Sequence, residues 1–196
     1  MLKKAIFSLL LACLCTSSSI SQRFMQSAGT TISFLYDKNK TNNPSANLSV
    51  TPTTFTYFPR YNFVENENSS FSIGTPVGLG VGLATDVYGD NWSVSFAYDL
   101  GAAFDYNIGC KSTRANPKSF GGYLGAGFSY LHVGVSNNAF SEFRGNTYGP
   151  LVRGGLRFLF SKGRNAGSAL NTGLFYKRGL EAAKVSTIGL NVLWDM

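Results

Sequence analysis

Residues 71–83, FSIGTPVGLGVGL, alternate between two kinds of side chain. Phe71, Ile73, Thr75, Val77, Leu79, Val81 and Leu83 take every second place, and six of these seven are apolar. Ser72, Gly74, Pro76, Gly78, Gly80 and Gly82 stand between them, all small or polar. Successive side chains of a strand point to opposite faces, so this segment predicts a strand with one oily face and one compact face.

The same period of two predicts eight strands. The first spans 30–36, with Ile32, Phe34 and Tyr36 on one face. The second, 50–63, aligns Phe55, Tyr57, Tyr61 and Phe63, but Pro52 and Pro59 each remove a ladder donor, and a bulge is expected near Pro59. The third is 71–83. The fourth, 91–107, sets Trp92, Val94, Phe96, Tyr98, Leu100, Ala102, Phe104 and Tyr106 against a face of Ser, Ala, Asp, Gly and Asn. The remaining four are 120–133, 147–160, 169–178 and 184–194, the last carrying Ile188, Leu190, Val192 and Trp194 on one face. Turn residues separate them at 37–47, 65–70, 86–91, 110–118, 136–146, 162–167 and 179–183.

In a soluble β-domain the apolar face is the core, and the other face carries Lys, Glu, Thr and Gln for water. Here the second face is mostly Gly, Ser and Ala with a few charges. That suits the interior of a narrow barrel, where eight strands leave room only for packed side chains. The oily face then meets lipid, and Tyr36, Trp92, Tyr106, Tyr148 and Trp194 near strand ends suit interfacial girdles. The expected fold class is therefore all-β: an eight-stranded antiparallel up-and-down transmembrane β-barrel. A soluble lipocalin-like barrel is the alternative.

Composition fits this reading. The chain has 22 Gly, 16 Phe and 10 Tyr in 196 residues, with only 14% charged. Mean hydropathy is +0.01. No internal segment approaches the ~18 continuous apolar residues of a spanning helix. A barrel hides its hydrophobicity in alternation and so gives a middling average.

The N-terminus reads as a signal peptide, expected over 1–21. Lys3 and Lys4 form a basic n-region, and residues 5–15 form an apolar stretch of 11, too short to cross a bilayer. Ser19 and Ser21 suit cleavage before Gln22; a lipoprotein signal ending at Cys13 is the competing reading. The expected domain is then 22–196. It keeps one cysteine, Cys110, so no internal disulfide is available. Losing Lys3 and Lys4 takes the formal charge from +7 to +5.

The last strand ends in a pattern of its own: Thr187, then Gly189, then Val192, then Trp194. This resembles the C-terminal assembly signal of outer-membrane barrels, from which it departs because Asp195 and Met196 follow the aromatic residue. With it the chain resembles the small outer-membrane β-barrels typified by OmpX and the transmembrane domain of OmpA. The resemblance covers the whole of 22–196 as a pattern. It implies export to the outer membrane of a Gram-negative-type cell, with outer-membrane lipids, lipopolysaccharide and the barrel-assembly machinery as partners. It also implies both termini on the periplasmic side. Loops 37–47, 85–91, 136–146 and 179–183 would then face outward and offer a surface for an extracellular ligand or protein. The turn at 108–118 is long for the periplasmic side. Either it folds back or the strand count is off by one.

The inward parity collects charges of both signs. Asp99 and Asp105 share the fourth strand, Arg153 and Arg157 the sixth, with Arg60 on the second and Lys177 on the seventh. Unpaired charges in a narrow interior are costly, so the aspartates of the fourth strand are expected to reach the arginines of the sixth across the lumen. The readings are a salt-bridged plug or a small-solute pore, and the narrow bore favours the plug.

Other chemistry finds little support. His132, with Ser136 and Glu142 beyond it, evokes the His/Ser/carboxylate set of outer-membrane lipid A deacylases, whose local pattern places Ser two residues after His. Here Ser136 is four on, and an interfacial histidine is the simpler account, so no enzyme is expected. Gly78, Gly80 and Gly82 lack the third glycine of a dinucleotide fingerprint. No metal-ligand set and no other cofactor site is legible, and a basic charge without a basic helix gives no case for nucleic acid.

Overall fold

The computed structural model describes residues 23–36, 49–85, 92–135, 145–161, 167–180 and 185–196. They form β1 (Phe24–Tyr36), β2 (Ser49–Glu65), β3 (Ser69–Gly74), β4 (Val77–Thr85), β5 (Trp92–Gly109), β6 (Phe120–Val135), β7 (Gly145–Ser161), β8 (Ser168–Arg178) and β9 (Ser186–Asp195). All pairings are antiparallel, and both β3 and β4 lie between β2 and β5. They are two halves of one stave. The sheet runs from β1 through β9, β8, β7, β6 and β5 to this stave and β2, and β2 pairs back onto β1. The fold is an eight-stranded antiparallel up-and-down transmembrane β-barrel, as the alternation predicts.

Two local expectations need correction. The third strand is not continuous. It parts at Thr75-Pro76, because Pro76 has no N–H to give. The wall still holds there: Thr75 N donates to Pro59 O at 3.0 Å and Gly101 N to Pro76 O at 2.9 Å. The bulge falls at Asn62/Val64, not at Pro59, which keeps its place opposite Gln26. The extra residue breaks the alternation, so Phe63 and Val64 both face out.

The parity is as expected from 71–83. Ile73, Leu79, Val81 and Leu83 are 53–60% exposed, while Ser72, Gly74 and Gly78 face inward and are buried. An apolar outer face continues around the wall through Phe96, Leu100, Leu124, Val152, Leu174 and Ile188, all exposed. Aromatic groups gather near the barrel rims. Phe71 lies against Phe104 and Tyr106 toward the end holding Phe24 and Asp195, where Phe160 also stacks on Trp194 at 5.8 Å. Toward the opposite end Tyr98 meets Tyr130, and Phe128 meets Tyr148. Tyr106, Tyr148 and Trp194 thus stand on the outer face as the girdle reading requires. The side chains of Tyr36 and Trp92 are outside the described set, as are residues 1–22 and most of the candidate outward loops.

Glycine on the inner face makes room for large neighbours. The Phe58 ring lies over Gly74, Phe175 over Gly189, and Tyr123 over Gly155 and Gly173. A methyl group at Gly74, Gly155 or Gly189 would overlap the ring, and one at Gly173 the Tyr123 hydroxyl. The small–large alternation of a narrow barrel is thereby built across strands.

Candidate functional site: the charged lumen

The inward residues form layers. At the end bearing Phe24 and Asp195, here the terminal end, the layer is polar: Ser27, Arg60, Asn62, Ser70, Asn107, Arg157, Asn171 and Asp195 are all 0–1% exposed. At the opposite, far end it is apolar, with Leu35, Val50, Ala84, Ala97, Leu131, Val133 and Val185 in one buried cluster. Between them lie Phe58, Tyr123, Arg153, Asp105, Phe175, Lys177 and Asp99.

All six charges chosen from the sequence point inward. Arg60, Asp105, Arg153, Arg157 and Lys177 are buried, and Asp99 is nearly so. Their pairing differs from the expectation. Only Asp105 and Arg153 join β5 to β7, with Arg153 Nε 3.6 Å from Asp105 Oδ1. They do not cross the lumen. Both stand in register with Gly125 of the intervening β6, and meet over the space its missing side chain leaves. Asp99 instead pairs with Lys177 of β8, Nζ to Oδ2 at 2.5 Å.

Arg157 and Arg60 turn to a carboxylate outside the six charges of the inward parity. Asp195, which follows the aromatic residue of the assembly signal, is fully buried. Its Oδ2 lies 3.0 Å from Arg157 Nε and 3.5 Å from Arg60 Nη2. Its Oδ1 accepts from Ser27 Oγ at 2.5 Å and from Asn171 Nδ2 at 3.3 Å. Parity held the clue: Trp194 outward forces Asp195 inward beside Asn191 and Leu193. Of the assembly-signal residues, Thr187 and Gly189 face in, and Val192 and Trp194 face out.

The long turn after β5 resolves the question of strand count, because it folds back into the terminal mouth. Cys110, Lys111, Ser112 and Asn116 are buried. Wall side chains hold its carbonyls. Arg60 Nη2 donates to Lys111 O at 2.9 Å, Asn62 Nδ2 to Ser112 O at 2.9 Å, and Ser70 Oγ to the same oxygen at 2.5 Å. Arg157 Nη1 reaches Lys111 O at 3.4 Å. The turn starts on Gly109 and Lys111, both at positive φ (71° and 54°), which reverses the chain toward the lumen. Burial pushes the Cys110 thiol up and the Lys111 ammonium down from their ordinary ranges.

Cations also lie on aromatic faces. Arg153 sits 4.3 Å from the Phe58 centroid and 4.9 Å from that of Tyr123; Arg157 lies 4.7 Å from Tyr123. The mid-lumen space bounded by Phe58, Pro76, Asp99, Arg153, Phe175 and Lys177 has a volume of about 30 Å³. That is room for a water molecule or two, not for a solute.

His132 faces outward at the far end, stacked on Tyr98 at 4.7 Å with Nδ1 bonded to Asn146 Oδ1. Ser136 and Glu142 lie outside the described residues. Among the described residues no cluster of His, Cys, Asp or Glu is disposed to hold a metal ion.

No family model matches the chain. No curated protein matches it either. Solved structures do. Neisserial surface protein A (NspA) superposes with TM-score 0.53 at 13% identity, covering 88% of this chain and 96% of that one. Ail, the attachment invasion locus protein of Yersinia pestis, gives 0.49 at 12% identity over 88% and 95% of the two chains. The outer membrane protein OprG of Pseudomonas aeruginosa gives 0.49 at 10% identity over 88% and 90%. At these identities the likeness to NspA speaks to the fold.

Proposed function

We propose that this chain is an integral outer-membrane β-barrel with a structural or surface-interaction role and a largely plugged lumen. One observation carries the reading: the interior is filled along its length by paired charges, aromatic rings, a folded-back turn and an apolar cluster, leaving about 30 Å³ in its middle. The apolar outer face and its aromatic rims support residence in lipid. On this reading 1–21 is a signal peptide removed on export. The partners are outer-membrane lipids, lipopolysaccharide and the barrel-assembly machinery, with an extracellular ligand or protein engaged through the outward loops.

The pore and the hydrolase readings each lack comparable support, and the exposed apolar wall disfavours a soluble lipocalin-like carrier. A pore requires the turn at 110–119 to leave the mouth. A hydrolase needs a nucleophile beside His132, which among the described residues stacks on Tyr98 and bonds to Asn146.

The test is fractionation followed by conductance. The protein should sediment with outer membranes, resist carbonate extraction and change electrophoretic mobility on heating. In planar bilayers it should give no steady channels. Recovery as a soluble species would remove the membrane reading, and well-defined channels would remove the plug.

A further inference from the structure

The lumen charges do not balance. Among the described residues, Arg60, Lys111, Arg153, Arg157 and Lys177 point inward, against Asp99, Asp105 and Asp195. Two ion pairs take four of these charges: Arg153 with Asp105 at 3.6 Å and Lys177 with Asp99 at 2.5 Å. The surplus sits in the terminal mouth, where Arg60 and Arg157 pair with Asp195 and the Lys111 ammonium lies within the reach of its charge. Glu65 at the rim is half-exposed and occupied by Asn62 Nδ2 at 2.7 Å.

The donors of this group are also unspent. Lys111 is 2% exposed, and its Nζ has no hydrogen-bond partner among the described residues. Arg60 Nε and Nη1 and Arg157 Nη2 are likewise buried without an acceptor. Both guanidiniums bond the backbone carbonyl of Lys111, and the charges of Asp195 and Arg60 act on its ammonium. Water would satisfy these N–H groups but leave the charge uncompensated, and a buried charge is stable only when paired.

We propose that the terminal mouth of the lumen is a binding site for a small inorganic anion of the halide class, held by Lys111, Arg60 and Arg157 beside Asp195. A halide suits these donors, because it is small, carries one negative charge and accepts N–H groups from any direction. The site is built by the folded-back turn, so anion binding and seating of that turn are one equilibrium. The inference rests on the barrel's interior and stands whether or not the loops bind a partner.

Bromide reports the site directly, since its anomalous scattering separates it from water. Crystals of the full chain soaked in bromide should show an anomalous peak beside Lys111 Nζ, with Arg60 and Arg157 as further neighbours. No peak in the mouth, or a peak only on the outer surface, overturns the proposal. A solution measurement uses the midpoint of the heat-induced mobility shift at fixed ionic strength. Replacing potassium gluconate by potassium chloride should raise the midpoint along a saturating curve. Lys111→Gly should keep the fold, because glycine suits the φ of 54° at this position. It should also abolish the chloride dependence. Equal midpoints in the two salts for the unmodified protein, or an undiminished chloride effect in K111G, would refute the site.

Discussion

The two ends of the barrel interior are filled in opposite ways. The far end uses Leu35, Val50, Leu131, Val133 and Val185 around Ala84 and Ala97, side chains that need no partner. The terminal end uses Arg60, Arg157, Asp195 and a turn held by side-chain bonds to its carbonyls. An apolar cluster loses stability in proportion to what is removed. A charge cluster loses more, because each deletion strands a partner that water no longer reaches. The far end should therefore tolerate graded change, whereas the terminal end should fail abruptly.

Asp195→Ala should have the largest effect. It strands two buried guanidiniums and releases Ser27 and Asn171, at a cost on the order of 3–5 kcal/mol, less where water enters the lumen. Denaturant unfolding in lipid or detergent measures it. Adding Arg157→Met should recover part of the loss by removing one stranded cation. If the double variant is no better than the single, the two residues are not coupled and the contrast between the ends fails.

Leu131→Ala tests the other end. A buried leucine truncated to alanine costs about 2–5 kcal/mol by transfer and cavity terms. It leaves no charge behind, so no second-site change of charge should rescue it, and Val133→Ala should add to it in the same direction. Both side chains are at 0–1% exposure, so a loss below about 1 kcal/mol for Leu131→Ala would mean the cluster is loosely packed.

Much of this barrel could be read from alternation alone, and what could not has physical reasons. Eight staves and their outward faces follow from the period of two, which any strand buried on one side must show. The inward direction of Arg60, Asp99, Asp105, Arg153, Arg157 and Lys177 follows from the same parity. Their partners do not follow, because pairing depends on register between strands distant in sequence. Asp105 meets Arg153 only because Gly125 lies in register with both. Asp195 is legible by parity, because the outward Trp194 sets it inward, although the assembly-signal pattern ends at Trp194. The inward fold of residues 110–116 left a trace only in its unusual length. The reversal at Gly109 and Lys111 is a backbone event that side-chain periodicity does not encode.

The turn offers a smaller perturbation. Asn62→Ala and Ser70→Ala each remove a hydrogen bond to the carbonyl of Ser112, worth about 1 kcal/mol apiece. Together they should loosen the turn with the wall intact. A cysteine-reactive reagent then reports the outcome at Cys110, the buried free thiol. Labelling should be slow in the unmodified protein and faster in the double variant. Equal rates would place the hold on the turn elsewhere, in Arg60 and Arg157.

The smallest effect concerns pH, and it belongs to the terminal end alone. Burial lowers the Lys111 ammonium below its ordinary 10.5 and raises the Cys110 thiol above its ordinary 9.0. The two act oppositely. For Lys111 the unfolded chain holds its proton in a window where the folded chain has lost it, so stability rises as pH climbs from the folded value toward 10.5. For Cys110 the folded chain keeps its proton longer, so stability is full below 9.0 and falls as pH passes that value toward the folded one. Cys110→Ser removes the second contribution and should expose the first: in gluconate buffer, stability should increase as pH climbs toward 10.5. Adding Lys111→Gly should flatten that rise, while Leu131→Ala at the far end should leave its slope unchanged. A slope that survives Lys111→Gly would assign the alkaline gain to some other group and detach it from the mouth.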